Sequence, residues 1–590
     1  PLDGLTIYGL ATELNDLLLG GRIDKIYQPE KDELSLVIRT SQANNIKLLI
    51  SANARWARFH INTAKMDNPQ TPPTFCMLLR KYLEGGRIVK VVQIDLERIV
   101  HFHIEAFDDY RELKTKVLIC EFMGKHSNII LVNPENNLII DAIKRYGSDV
   151  SSHRSVLPGY EYISPPPQNK LNIAKTDFNL FAKYMWEQDE EQLKNAIFYV
   201  LSGISPFTGE QLCYLTNLNP LIPVAECGEY ELATIYNYIL DLLANIKNYN
   251  FKTSLIYTDK KPIEYAPYSL AHLPHTRYVE FDSINKGLDK FYNEKLNLVK
   301  LKAKKDNLFR HVKTYLTKAH KKQFHLESDY VKANKNHIYR IKGEVITANL
   351  YKLNKGDTEV ELENYYTGEM INITLDPRYT PNQNAQRFFK IYNKSQNALK
   401  HLKGLLANNK QEIDYLESIL INIQDTDNIE ELDEINNELI REGYKKGRTL
   451  PKKESPKIMP RKFISSDGFK ILVGKNNRQN DWLTLKNAHK NDLWFHTQNI
   501  PGTHVILKIA EQVKNEVEIP TTTLEEAAGL AAYYSKAQNS TKVPVDYTLR
   551  AYVKKPKGAK PGMVIYDNFK TITVNPQSTI ILDLIKNSPK

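Results

Sequence analysis

The sequence predicts a multidomain α+β protein from three observations: its length, a strand-rich first part, and two long charged segments with heptad-like apolar spacing. A chain of 590 residues is too long for one core. The boundaries fall where the residue pattern changes. Residues 1–165 read as an α/β domain, 171–275 as a helical domain and 282–445 as a long helical arm with a small β-cap at about 343–380. Residues 446–460 read as a basic linker and 461–590 as a C-terminal α/β domain.

In the first domain, strand-like runs occupy residues 34–39, 46–51, 87–94, 99–103, 116–121 and 128–133. An amphipathic helix over 75–83 ends on Gly85-Gly86. The run Ser164-Pro165-Pro166-Pro167 closes the domain, because proline continues neither sheet nor helix. Beyond it, Leu193, Ile197, Val200 and Leu201 share one helical face. Gly203 then breaks that helix, and Ser205 and Pro206 supply an N-cap and a first helical position for another. Such a turn either offers backbone N–H groups to a nucleic-acid phosphate or serves as a packing corner. Pro262, Pro267 and Pro274 mark the descent into the arm.

The arm organises the chain. Leu298, Leu301, Leu308, Val312, Tyr315, Ala319 and Leu326 form one apolar seam, interrupted by Lys305 and Lys322. Leu402, Leu406, Asn409, Ile413, Leu416, Leu420 and Ile423 form a second. Two such helices joined by a folded cap pack most simply as an antiparallel coiled coil. Residues 300–342 carry 13 Lys or Arg against 3 acids, and residues 411–442 carry 11 acids against Arg441 alone. Antiparallel pairing neutralises the base and leaves the tip positive, around Lys335, Arg340, Lys342 and Arg387. That is either a solvated helical face or a probe for phosphate.

Residues 445–462, with eight basic residues and one acid, form a flexible positive tether. In the last domain Asp467-Gly468 marks a hairpin turn. Strands fit 493–496, 504–507, 548–553 and 563–566, and a helix fits 524–536. The loop 554–562 holds four lysines, including Lys557 and Lys560, with two prolines and two glycines. It reads as a stiff phosphate-contacting loop or as a solvated turn.

A net charge of +11 and 34 tyrosines point to a polyanionic partner with bases on which flat rings can stack. Cys76, Cys120, Cys213 and Cys227 are widely separated, which suggests neither a zinc ribbon nor a disulfide framework. No apolar run approaches 18 residues, and the first 25 lack a signal-peptide pattern, so a cytoplasmic protein is expected.

Three places could carry chemistry. A proline amine at Pro1 would suit a lyase-type nucleophile, but only Asp3 stands nearby and no zinc-finger cysteines follow. The stretch Glu121-Phe122-Met123-Gly124-Lys125-His126-Ser127-Asn128 gathers acid, base and hydroxyl. Adjacent strand residues face opposite ways, so a turn presenting Lys125, His126 and Asn128 to RNA is more economical than catalysis. His496 and His504 flank Pro501-Gly502 and could share a metal, with Asp492 nearby, or serve as hydrogen-bonded structural histidines. Neither a P-loop nor a dinucleotide fingerprint is present.

Several motifs together resemble the NFACT family over essentially the whole chain. They are Leu2-Asp3-Gly4, residues 75–83 (FCMLLRKYL), residues 121–131 (EFMGKHSNIIL), Gly203-Ile204-Ser205-Pro206, and Asp492-Leu493-Trp494-Phe495-His496. The resemblance implies a formamidopyrimidine-glycosylase-like N-terminal domain used for binding, a helix–hairpin–helix domain, the coiled-coil arm and a C-terminal NFACT-R domain. For bacterial members it implies ribosome-associated quality control. Such proteins bind a large ribosomal subunit obstructed by peptidyl-tRNA, recruit alanyl-tRNA and direct template-free alanine tailing, while the ribosome makes the peptide bond. No enzyme activity, cofactor, metal or membrane is then expected, and a small RNA-binding helper protein of the same pathway is a further partner. The family's acidic–Arg pair falls on Glu97-Arg98, where Asp-Arg is usual, and Asp3 carries over with it. Weaker RNA contacts are expected from Lys335, Arg340, Lys342, Arg387, Asp492, Trp494, His496, His504, Lys557 and Lys560. Gram-positive members are also known as fibronectin-binding proteins, so a surface adhesin for fibronectin is the rival reading. It requires export.

Overall fold

The computed structural model describes residues 2–41, 45–108, 110–447, 459–509 and 519–587. It forms two compact units, residues 1–298 and 299–590, and the boundary falls inside one long helix.

Unit 1 opens with α1 (Gly4–Leu18), which Asp3 caps and which buries Ile7, Leu10, Leu14 and Leu18 at three- and four-residue steps. Nine strands follow among the described residues. They are β1 (Arg22–Glu30), β2 (Glu33–Arg39), β3 (Ile46–Ser51) and β4 (Arg58–Ile61), then helix α2 (Thr74–Leu83), then β5 (Arg87–Gln93), β6 (Ile99–Phe107), β7 (Leu113–Glu121), β8 (Asn128–Asn133) and β9 (Leu138–Ala142). Their order is β4-β3-β2-β1-β5-β6-β7-β8-β9, and every pairing is antiparallel. This corrects the α/β expectation for the first domain. Most of these strands are joined by tight connections, which suit antiparallel neighbours and are too short for a parallel crossover, so the architecture is α+β. The residues of α1 and α2 pack on the apolar face of the sheet in one core.

Helices α3 (Phe178–Trp186), α4 (Leu193–Val200), α5 (Pro206–Leu215) and α6 (Glu229–Lys247) build a second core. Ser205 caps α5 and Pro206 takes its first position, as the sequence predicts. The prolines beyond 255 do not simply lead into a helix. They lie in and around a small sheet, β10 (Thr253–Thr258), β11 (Lys261–Ala266) and β12 (Arg277–Phe281), in the order β11-β10-β12. Pro262 is tolerated because β11 is an edge strand and its register slips there. Helix α7 (Ile284–Lys335) starts against the main sheet, where Ile284, Leu288, Phe291 and Tyr292 are buried.

In unit 2, α7 continues and a bend leads to α8 (Ile338–Ala348). The hairpin β13 (Glu359–Asn364) and β14 (Glu369–Thr374) precedes α9 (Pro381–Asp425) and α10 (Ile429–Arg441). Helices α7 and α9 run antiparallel. Lys305 Nζ reaches Gln424 O, Asn409 Nδ2 reaches Ala319 O and Asn336 Nδ2 reaches Ser395 Oγ, so partner numbers fall as residue numbers rise. Leu308, Val312, Ala319, Ile413, Leu416 and Ile423 are buried between them.

The C-terminal part comprises β15 (Arg461–Ile464), β16 (Lys470–Val473), α11 (Asn477–Trp482), a π turn at Leu483–Asn487, β17 (Leu493–Thr497), β18 (Val505–Lys508), α12 (Thr521–Tyr533), β19 (Val543–Leu549), β20 (Val553–Lys554), β21 (Ile565–Tyr566), β22 (Lys570–Val574) and α13 (Thr579–Lys586). Six strands form an antiparallel sheet in the order β15-β16-β18-β17-β19-β22, with α12 in the core on one face. The strand expected over 548–553 stops at Leu549. Arg550 turns the chain by donating from Nε to Thr484 O at 2.7 Å and from Nη2 to Leu485 O at 3.0 Å. Among the described residues no helix is long and apolar enough to cross a membrane.

Candidate nucleic-acid interface

In unit 1 the Glu97-Arg98 pair sits on a tight turn between β5 and β6. Asp95 (φ +44°) and Leu96 (φ +58°) are both left-handed, a cost that needs fixed surroundings. Those surroundings are two glycines. A Cβ on Gly4 would lie 2.2 Å from Leu96 O, and one on Gly203 would lie 2.7 Å from the same oxygen. Gly4 N–H donates to Gly203 O at 2.8 Å. The Gly203 turn is thus a packing corner between α1 and the 95–98 turn, one of the two roles its sequence allowed.

Asp3 fastens this corner. It is only 5% exposed, its Oδ1 accepts from Thr6 N–H at 3.1 Å, and its Oδ2 accepts from Thr208 Oγ1 at 2.5 Å and Ser205 Oγ at 3.1 Å. Its carboxylate therefore positions the turn. Ser202 Oγ donates to Glu97 Oε1 at 3.3 Å, whereas Asp95 is ion-paired with Lys175.

Arg98 differs from its neighbours. Its carbonyl accepts from Phe122 N–H at 2.9 Å, which anchors its main chain to the end of β7. Its half-buried side chain has no hydrogen bond or ion pair among the described residues. Lys170 lies near enough for the charges of Glu97 and Arg98 to act on it, and burial lowers its pKa. It was not singled out from the sequence, because it follows a proline run with no periodic signal.

The turn after β7 is held from beneath. Glu121 is buried and gripped by Arg154, while Lys125 and His126 are exposed on the turn Gly124–His126. Asn128 does not join them. It is buried, donates to Lys144 O at 2.9 Å and accepts from Lys144 N–H at 3.1 Å, so it ties strands together instead of facing solvent.

In unit 2, Lys335 is exposed and Lys342 half-buried on the helix pair, but two expected cations are neutralised. Arg340 lies 3.7 Å from Glu344, and Arg387 pairs with Asp376 at 2.9 Å and stacks on Tyr379. Lys390 and Lys394 line a shallow groove on α9 with Phe389, Asn393 and Asn397. Most of the basic tether, residues 448–458, lies outside the described residues.

The lysine loop is neither free nor a simple phosphate clamp. Lys555 is paired with Asp481, and Lys560 bonds the Tyr444 hydroxyl and lies over the Tyr415 and Tyr444 rings at 4.7 and 4.6 Å. Lys557 alone of the two expected contacts there is exposed. Asp492 is buried as well, paired with Lys508 at 3.1 Å and accepting from His489 N–H at 2.7 Å and Ile509 N–H at 3.0 Å. It shapes the loops around β17.

Trp494, His496 and His504 meet at a cleft of about 210 Å³. His496 stacks parallel to Trp494, and His504 meets Trp494 edge-on. Gly562 O can only accept, so His504 Nε2 carries the proton (3.1 Å), and Nδ1 accepts from Thr484 Oγ1 at 2.8 Å. Burial pushes the pKa of His504 down to about 3 and lowers that of His496. Both ring nitrogens of His504 are engaged in hydrogen bonds within the protein, which fits the reading of hydrogen-bonded structural histidines. Among the described residues no cluster of three or more His, Cys, Asp or Glu could hold a metal ion.

Two family models match the chain: NFACT N-terminal and middle domains over residues 3–457, and NFACT protein RNA binding domain over residues 459–568. The Rqc2 homolog RqcH of Bacillus subtilis (strain 168) is 36% identical over 592 residues, covering 99% of this chain and 100% of that protein. The Rqc2 homolog RqcH of Streptococcus suis (strain 05ZYH33) is 37% identical over 578 residues, covering 97% and 98%. Among solved structures, the N-terminal part of the fibronectin/fibrinogen-binding protein from Streptococcus suis is 31% identical and covers 50% of this chain and all of that one, with a TM-score of 0.42. The C-terminal part of the same protein is 34% identical and covers 48% of this chain and 98% of that one, with a TM-score of 0.38.

Proposed function

The chain belongs to the NFACT family, and from that premise we propose that it is an RNA-binding adaptor of ribosome-associated quality control. It binds a large ribosomal subunit obstructed by peptidyl-tRNA, recruits alanyl-tRNA and directs template-independent alanine tailing of the stalled chain. Peptidyl transfer is the ribosome's. The adaptor contributes position and charge.

The observation that carries this reading is the state of Arg98: its main chain is pinned to the sheet, and its guanidinium has no internal partner among the described residues. A fixed base with a free planar fork suits bidentate bonds to a phosphate or a guanine edge, which lysine cannot imitate. Glu97, held by Ser202, sets an acceptor beside it. Lys335, Lys342, Lys390 and Lys394, which have no ion pair among the described residues, supply charge for ribosomal RNA, a contact that weakens steeply with salt.

The test is Arg98→Ala alongside Arg98→Lys. Both should abolish alanine tailing and transfer-RNA recruitment while large-subunit association stays close to that of the unmodified protein. Loss of subunit binding with normal tailing by the residual complex would reverse the assigned roles.

A further inference from the structure

The cleft around Trp494 has features that phosphate binding does not require. Its floor is made of neutral flat rings: the buried indole of Trp494, the parallel His496 at 5.7 Å, and Tyr566 with its ring centroid 4.8 Å from the indole. Both ring nitrogens of His504 are already engaged, so it offers an anion no free donor, whereas a heteroaromatic ring gains stacking area from the cleft. The indole Nε1–H is buried and has no hydrogen-bond partner among the described residues. A donor left so pays for its desolvation without return, and an acceptor arriving with a ligand would satisfy it. The space is about 210 Å³, below the usual range for drug-sized ligands of about 300–1,000 Å³. It has room for one small flat ring. The exposed Lys410 of α9 also lines the cleft, with the half-buried Asp414 one turn further on.

The walls are fixed. The π turn brings Thr484 to His504 Nδ1, and π turns recur at functional sites. Asp481 holds the other wall by accepting from Gly562 N–H at 3.1 Å and pairing with Lys555. The pinned Lys560 keeps the same loop against the helix pair. Such rigidity suits a receptor for a shape more than a contact for a flexible backbone.

We infer that this cleft receives a single unstacked RNA base, with a carbonyl or ring nitrogen accepting from Trp494 Nε1–H and the adjoining phosphate near Lys410. The inference rests on the RNA-binding reading above but adds a mode, recognition of an extruded base, at a place far in sequence from Arg98.

The experiment uses the full chain and three probes: a single-stranded oligoadenylate carrying one fluorescent 2-aminopurine, a duplex RNA of the same length, and free adenosine monophosphate. The single strand should bind with quenching of the 2-aminopurine, the duplex should bind without it, and the mononucleotide should compete only weakly. Trp494→Phe keeps a ring but removes the donor, and His496→Leu removes the stacked imidazole without touching the indole. Each should weaken single-strand binding about tenfold and leave transfer-RNA recruitment unchanged. Arg98→Ala should do the opposite. Equal quenching by single strand and duplex, or unchanged single-strand affinity in both cleft variants, would overturn the inference. Loss of transfer-RNA and subunit binding together with intact quenching would count against the adaptor reading and leave the cleft standing.

Discussion

Arg154 closes on Glu121 with two parallel hydrogen bonds, Nη1 to Oε1 at 2.7 Å and Nη2 to Oε2 at 2.5 Å, and both side chains are buried. Tyr162 adds a third bond to Oε1 at 3.0 Å. The next residue, Phe122, donates its N–H to Arg98 O, so this ion pair underpins the proposed transfer-RNA site. Arg154→Met should cost about 3–5 kcal/mol, because it strands a buried carboxylate. Adding Glu121→Gln should recover part of that loss. Denaturant unfolding of the two variants measures both.

The corner where Gly203 meets Leu96 gives a sharper contrast. Gly203→Ala combines a left-handed backbone (φ +79°) with a methyl 2.7 Å from Leu96 O, and should cost about 3 kcal/mol. Gly20→Ala is also left-handed (φ +74°) but meets nothing within 4 Å, and should cost about 1 kcal/mol. Only the first should also impair transfer-RNA binding. Thermal unfolding and a filter-binding assay on the pair decide it.

Asn409 lies buried between α7 and α9, donating to Ala319 O at 3.0 Å and Gln323 Oε1 at 2.9 Å, while its own Oδ1 has no partner among the described residues. A polar side chain in an apolar seam specifies register at a cost in stability. Asn409→Leu should therefore raise the denaturation midpoint by about 1 kcal/mol equivalent and broaden the transition through alternative registers.

Glu438 of α10 is buried, accepting from the Tyr415 hydroxyl at 2.9 Å and Asn477 Nδ2 at 3.3 Å, and burial pushes its pKa up to about 7. Between its ordinary value of 4.5 and about 7 the folded protein holds this proton more tightly than the unfolded chain. Stability from this group is present below that window and lost as pH rises through it, on the order of 3 kcal/mol. Asp425, pushed up to about 6 by burial, acts in the same direction, and His504 acts in the opposite one. Glu438→Gln should be more stable than the unmodified protein at pH 8 and close to it at pH 5. Unfolding midpoints at the two pH values test this.

Much of the fold was legible where apolar alternation was clean. The runs at 34–39, 46–51 and 128–133 are strands, and Asp467-Gly468 turns the β15–β16 hairpin with Gly468 at φ +85°. Helix α1 was missed although Ile7, Leu10, Leu14 and Leu18 recur at helical steps, because Gly4 and Gly9 lower its intrinsic helix propensity. The β10–β12 sheet was missed because its prolines read as linker, although an edge strand accepts one. At the site, the Gly203–Pro206 turn announced itself through capping chemistry. The Glu121–Arg154–Tyr162 cluster did not, since its members are 33 and 41 residues apart and no local pattern joins them. Asn128, Asp492 and Lys560 looked like contacts because polarity in a motif does not tell whether a group faces solvent or ties loops together.

The π turn at Leu483–Asn487 closes wider rings than an ordinary α turn. An in-frame loss of one codon within it would let the segment relax to α geometry and swing every following side chain by about 100°. Thr484 would then leave His504, and Arg550 would lose the two carbonyls it clasps. Removing one residue while leaving every other unchanged would thus silence the Trp494 cleft, which makes length at this turn as consequential as identity.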